Sequence, residues 1–205
     1  EIELNRAADI NLLCDPSVFL DKLIELKKNS KWKLNNEWFD KNKKEKKNWI
    51  DKTLDDLNKE TEETKKNGGK IHPLQLALDV QEVLSENDWL VIDGGNTHFW
   101  SEIAINIAGS KGKKLGGILH PGTFSMVGVG VPFAVSAKNL NPKSNVVLIS
   151  GDGAFLSGGL SIEAAFQEKK PIVVVIDNNG GLDCISQQQE RLSLIHISEP
   201  TRHWS

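Results

Sequence analysis

With 205 residues, 25 Lys and Arg against 28 Asp and Glu, and a formal net charge of −3, the chain lacks the basic excess that a nucleic-acid surface needs. Its 39% hydrophobic content is ordinary for a globular protein, and no apolar run nears the length of a membrane span, so no membrane segment or secretory leader is expected and a cytoplasmic setting is. Two cysteines, Cys14 and Cys184, give neither a disulfide framework nor a metal-binding spacing.

The chain opens on Glu1-Ile2-Glu3-Leu4-Asn5-Arg6, without an initiating methionine. Asp15-Pro16-Ser17 has the form of a helix start, and apolar residues at 18, 19, 20, 23, 24 and 26 continue at helical spacing. Residues 27–70 are strongly charged, with Trp32, Trp38, Trp49, Leu54 and Leu57 set among lysines and acids. This pattern predicts a linker of two solvated helices whose tryptophans dock on a neighbouring domain. Asn67-Gly68-Gly69 is a helix stop. A second domain begins at Ile71-His72-Pro73, where Pro73 suits a helix N-terminus and apolar residues follow at 74, 76, 77, 80, 83 and 84. Trp89-Leu90-Val91-Ile92 reads as a buried strand, followed by Asp93-Gly94-Gly95-Asn96-Thr97 and a helix over about 98–108. Gly128 and Gly130, with the small residues Ala134, Ser136 and Ala137, predict a helix lying very close to a sheet.

The most informative stretch is 146–182. Val146-Val147-Leu148-Ile149 is a β-branched run that ends in Gly151-Asp152-Gly153. An amphipathic segment over 160–167 leads to Ile172-Val173-Val174-Val175-Ile176, which ends in Asp177-Asn178-Asn179. These form a βαβ unit with parallel strands, and both polar clusters fall at carboxyl ends, where open α/β sheets bind ligands. Asp152 and Asn179, 27 positions apart, offer hard oxygen ligands for a magnesium ion that also holds phosphate. The amides of Gly153 and Ala154 can donate to that phosphate, and Gly151 lets the backbone approach it. Taken singly, each motif is equally an ordinary turn.

Together these residues resemble the diphosphate-and-magnesium signature of thiamine diphosphate-dependent enzymes, of the acetolactate synthase type. The resemblance implies an α/β fold: a parallel sheet flanked by helices, incomplete here, preceded by a charged helical linker. It implies thiamine diphosphate and Mg2+ as cofactors, with FAD possible in the full-length parent. Asp152, Asn179 and the Gly181 carbonyl become the metal ligands, and Asn96 and Thr97, after Gly95, contact the terminal phosphate. In this family a bulky apolar residue, commonly Met, bends the cofactor. Counted from Gly128 and Gly130 that position is Val127, with Met126 just before it, and either can serve. Asp183 is expected to face away from the diphosphate, Glu163 to be an exposed acid at a helix start, and His98 to be a surface or packing residue.

Residues 1–26 resemble the end of that family's central domain, so the divisions implied are 1–26, the linker 27–70 and the cofactor domain 71–191. The substrate class implied is a 2-oxo acid, decarboxylated and joined to an acceptor, in a parent that is a homodimer or homotetramer. No residue is assigned a catalytic role, because the activating glutamate of the family lies in an amino-terminal domain. Gly122-Thr123-Phe124 is also similar to the 2-hydroxyacyl-CoA lyase and oxalyl-CoA decarboxylase branch. A non-catalytic phosphate-binding module is the remaining reading. Residues 192–205, LSLIHISEPTRHWS, resemble a translated sequencing-library adapter and are set aside as foreign; the other reading is a natural tail with His196 and His203 as candidate ligands.

Overall fold

The computed structural model describes residues 9–192 apart from 32 and 34, so Trp32 and the stretches 1–8 and 193–205 lie outside the described residues. The chain divides into two units, Glu1–Trp49 and Ile50–Ser205.

Helix α1 (Pro16–Asn29) starts as its sequence dictates: the Asp15 carboxylate accepts from the Ser17 and Val18 amides, at 2.8 and 3.3 Å. The charged stretch differs from expectation. In place of two helices it holds one 31-residue helix, α2 (Asn36–Lys66). No Gly or Pro interrupts residues 36–66, and pairs such as Lys59–Asp56 and Lys65–Glu62 line its surface. Trp38 and Trp49 are 63% and 44% exposed, and the buried residues of the helix are Ile50 and Leu57. Gly68, at φ +66°, ends it as predicted, with the Gly69 amide turned back onto the Thr64 carbonyl.

In the second unit α3 (Pro73–Val83) is capped by the His72 ring, whose Nδ1 accepts from the Leu74 amide at 3.1 Å. A four-stranded, wholly parallel sheet follows, in the order β2 (Gly117–Leu119), β1 (Trp89–Ile92), β3 (Val146–Gly151), β4 (Val173–Asp177). Strands β1 and β3 are central and buried on both faces, which is why both read as unbroken apolar runs. One face is covered by α3 and α4 (Asn96–Ser110), with Leu74, Leu84, Leu90, Ile92 and Ile149 in the core. The other is covered by α5 (Gly130–Leu140) and α7 (Ile162–Gln167), against Val91, Val131, Ala134, Leu148 and Ala165.

The segment 160–167 is helical as expected, a 3-10 turn (Gly159–Ser161) leading into α7, but an unanticipated helix α6 (Asp152–Gly158) precedes it and the path breaks between the two. Backbone contact explains the break. A Cβ on Gly158 would sit 1.9 Å from the Gly128 carbonyl oxygen, so two backbones meet there and the helix path must yield. A last helix, α8 (Asp183–Leu192), was not anticipated.

Asp88 ties the amino ends of β1 and β3 together. It is 6% exposed, and its carboxylate accepts from the Ser85 amide (2.7 Å) and from the Asn145 amide and side chain (3.1 and 3.0 Å). Burial alone would raise its pKa, but these bonds outweigh it and hold the carboxyl below its ordinary value. A depressed folded-state pKa contributes stability above the unfolded value and loses it as pH falls through the folded one. Asp88→Asn should therefore cost about 1–3 kcal/mol at pH 7. In urea titrations the gap to wild type should shrink as pH drops below the carboxylate range.

Candidate functional site

At the carboxyl end of the sheet, β3 and β4 run in register up to the pair Gly151 and Asp177. The residues that follow, Asp152 and Asn179, therefore leave adjacent strand tips, which lie about 4.8 Å apart in any sheet. Both line a single cavity of ≈ 280 Å³, together with Gly95, Asn96, Thr97, Val127, Gly151, Gly153, Ala154 and Gly181. Every residue singled out from the sequence as cofactor- or metal-binding is in that lining except Met126.

Met126 belongs to a loop whose backbone, rather than side chain, meets the sheet. A Cβ on Gly94 would lie 2.4 Å from the Met126 carbonyl and 2.7 Å from that of Ser125, so this loop rests its backbone on the tip of β1. Met126 is 56% and Val127 44% exposed, and of the two Val127 is in the cavity lining. The loop is held there by Asp93. That carboxylate, 1% exposed, accepts from the Gly94 and Gly128 amides (both 2.9 Å) through one oxygen, and from the Gly130 amide (3.2 Å) and Ser150 hydroxyl (3.1 Å) through the other. Sequence reasoning placed Asp93 in a polar turn and missed this role.

Negative charge dominates the cavity. Asp152 and Asp183 both line it, and Asp177 accepts from the Thr97 hydroxyl at 3.4 Å. Burial pushes the Asp177 carboxyl above its ordinary value; the Thr97 bond opposes this, the Asp152 and Asp183 charges add to it, and His72 opposes it weakly. Among the described residues no hydrogen-bond donor reaches the Asp152 carboxylate. The Asn179 amide oxygen accepts from the Gly181 amide at 3.2 Å, which folds the 179–181 turn over the cavity.

Asp183 corrects an expectation. It does not face away: it lines the cavity and accepts from the Asn96 side-chain amide at 3.1 Å and from Gln187 at 2.7 Å. It opens α8, whose Cys184 and Ile185, with the preceding Leu182, complete the wall. The signal was present in Asp183-Cys184-Ile185-Ser186-Gln187, where an acid starts an amphipathic turn and a Gln follows four residues on. Glu163 lies in the first turn of α7, exposed and bonded to Gln167, as expected, and His98 is outside the cavity.

These donors suit a hard divalent cation with an anion beside it: carboxylate and amide oxygens at one edge, glycine backbone at the other. A Cβ on Gly153 would lie 2.9 Å from Leu182 and one on Gly151 3.4 Å from the Thr97 hydroxyl, so side chains there would fill the cradle.

Comparison with known proteins agrees with this geometry. The family described as thiamine pyrophosphate enzyme, C-terminal TPP binding domain, matches residues 93–203. Human 2-hydroxyacyl-CoA lyase 2 is 32% identical over 119 residues, which are 58% of this chain and 18% of that protein. The catabolic acetolactate synthase of Raoultella terrigena is 28% identical over 121 residues, 59% of this chain and 21% of that one. Among solved structures, a thiamine diphosphate-dependent 4-hydroxybenzoylformate decarboxylase from Rhodococcus jostii RHA1 superposes with a TM-score of 0.51 at 24% identity. That match covers 64% of this chain and 23% of the decarboxylase. This chain thus spans about a fifth of the length of the relatives it matches.

Asp93→Asn replaces one accepting oxygen with a donor that faces donors. It should cost about 3 kcal/mol. Faster hydrogen exchange at the Gly128 and Gly130 amides, read by mass spectrometry, would locate the loss.

Proposed function

This chain belongs to the thiamine pyrophosphate enzymes, through their C-terminal TPP-binding domain, and on that premise we propose that its cavity holds thiamine diphosphate with a magnesium ion. The observation that carries the proposal is the meeting of Asp152 and Asn179 at adjacent strand tips, on one cavity with a glycine cradle. Asp152, the Asn179 side chain and the Gly181 carbonyl hold the magnesium. The Gly153 and Ala154 amides, in the first turn of α6, and the Asn96 and Thr97 side chains hold the diphosphate. The charge of the site favours this pairing: beside Asp152, Asp177 and Asp183, a diphosphate alone would be repelled, and a divalent cation reverses the sign. Val127 is our choice for the apolar residue set against the cofactor, supported by its place in the cavity lining, where Met126 is absent.

Thiamine diphosphate, once bound, supplies the carbanion chemistry that cleaves the bond beside the carbonyl of a 2-oxo acid and passes the fragment to an acceptor. The residues named here bind and orient the cofactor, and we assign none of the described residues the part of acid or base in the reaction. In the whole protein we assign an acetolactate synthase-type reaction, in a homo-oligomer whose amino-terminal domain supplies the activating glutamate. The chain by itself is then catalytically silent. A 2-hydroxyacyl-CoA lyase is the second reading, favoured by the 32% identity to the human enzyme.

Titration calorimetry of the chain with thiamine diphosphate should show binding that requires Mg2+, with ATP binding at least tenfold more weakly. Asp152→Asn should weaken the Mg2+-dependent binding by tenfold or more. Equal affinity for ATP, or indifference to Asp152→Asn, would leave only a generic phosphate site.

Pyruvate turnover, followed as acetolactate formation, should be absent from the isolated chain. Measurable turnover would overturn the assignment of the activating group to another domain.

A further inference from the structure

Outside the cofactor cavity, three side chains that the proposed chemistry leaves unused come together. His98 and Glu102 lie one turn apart on the same side of α4, with Nε2 and Oε1 3.1 Å from each other. His120, from the segment after β2, brings its ring centroid to 5.0 Å from that of His98. One donor atom from each of the three lies within 4.8 Å of the other two. We propose that His98, Glu102 and His120 form a site for a divalent transition-metal ion of the zinc class, separate from the magnesium site and clipping α4 to the segment that leads to Val127.

Two imidazoles and one carboxylate make a borderline donor set, which selects zinc, cobalt or nickel over magnesium. An ion with ligand bonds of about 2.0–2.2 Å in tetrahedral geometry needs its donor atoms roughly 3.3 Å apart. His98 and Glu102 already meet that requirement. His120 reaches it by a side-chain rotation of the order of 1 Å, which its exposure and that of Glu102 allow. A plain ion pair accounts for His98 and Glu102 but not for a second imidazole, carried in from another element, facing the same point. Three protein ligands leave a fourth position for water or a small anion.

The site is mechanically connected. The His120 Nδ1 accepts from the Gly122 amide at 3.2 Å. His120 is thereby tied to the 3-10 turn Gly122–Phe124, so a movement of its ring on metal binding would act on that turn. At the other end of the clip, α4 begins with Asn96 and Thr97, both on the cavity wall.

The test uses the full chain, freed of metal with a chelator, in a background of Cys14→Ser, Cys184→Ser, His196→Ala and His203→Ala that removes other candidate ligands. Calorimetric titration with Zn2+ should give one ion per chain, undisturbed by excess Mg2+, and Co2+ should give visible absorption of low coordination number. His120→Ala and Glu102→Gln, both at exposed positions, should each weaken Zn2+ binding at least tenfold and abolish the Zn2+-induced rise in Tm. No stoichiometric uptake, displacement by Mg2+, or unchanged affinity in His120→Ala would overturn the site.

Discussion

The Asp93 carboxylate organises this domain. One buried anion gathers three amides and a hydroxyl from three separate places: the tip of β1, the loop over 125–130, and the end of β3. A buried charge without such donors would be strongly destabilising, so the loop and the two strands must settle together. That constraint fixes the height of Gly94 against the Ser125 and Met126 carbonyls and turns Val127 into the cavity. Gly130 is part of the same requirement, since a Cβ there would lie 2.7 Å from the Asp93 oxygen and 2.6 Å from Leu148.

The cavity then follows from topology. Parallel strands deliver all their carboxyl ends to one side, and helices covering both faces leave only that side open. Residues separated by 27 positions become neighbours because β3 and β4 pair directly. Two carboxylates, Asp152 and Asp183, line the opening, and Asp177 at the tip of β4 feels the charge of both.

Much of this was legible in the sequence, and the illegible parts share a cause. The β1 and β3 runs could be read because central parallel strands are apolar throughout, and the edge strand β4 because it is a β-branched run; all three stop abruptly at Gly, Asp and Asn. Strand β2, three residues of Gly-Ile-Leu at the sheet edge, has too little pattern to be seen. The break between α6 and α7 could not be read, because it is imposed by Gly128, thirty positions upstream of Gly158. The same holds for Asp93: its type and place in a turn were plain, but its partners lie 35 to 57 residues away and only tertiary structure brings them in. In α2, local propensity was under-read, since a long charged segment without a breaker needs no interruption.

The bond between Asn96 and Asp183 acts as an internal guard on the cavity wall. An arriving anion has to take the Asn96 amide away from a carboxylate that already satisfies it. A weak or monovalent anion gains too little to displace that partner. Under the proposed function, an anion that entered with a divalent cation would offset the Asp152 and Asp183 charges, so the first selection would fall at this bond, before any fit to the rest of the ligand.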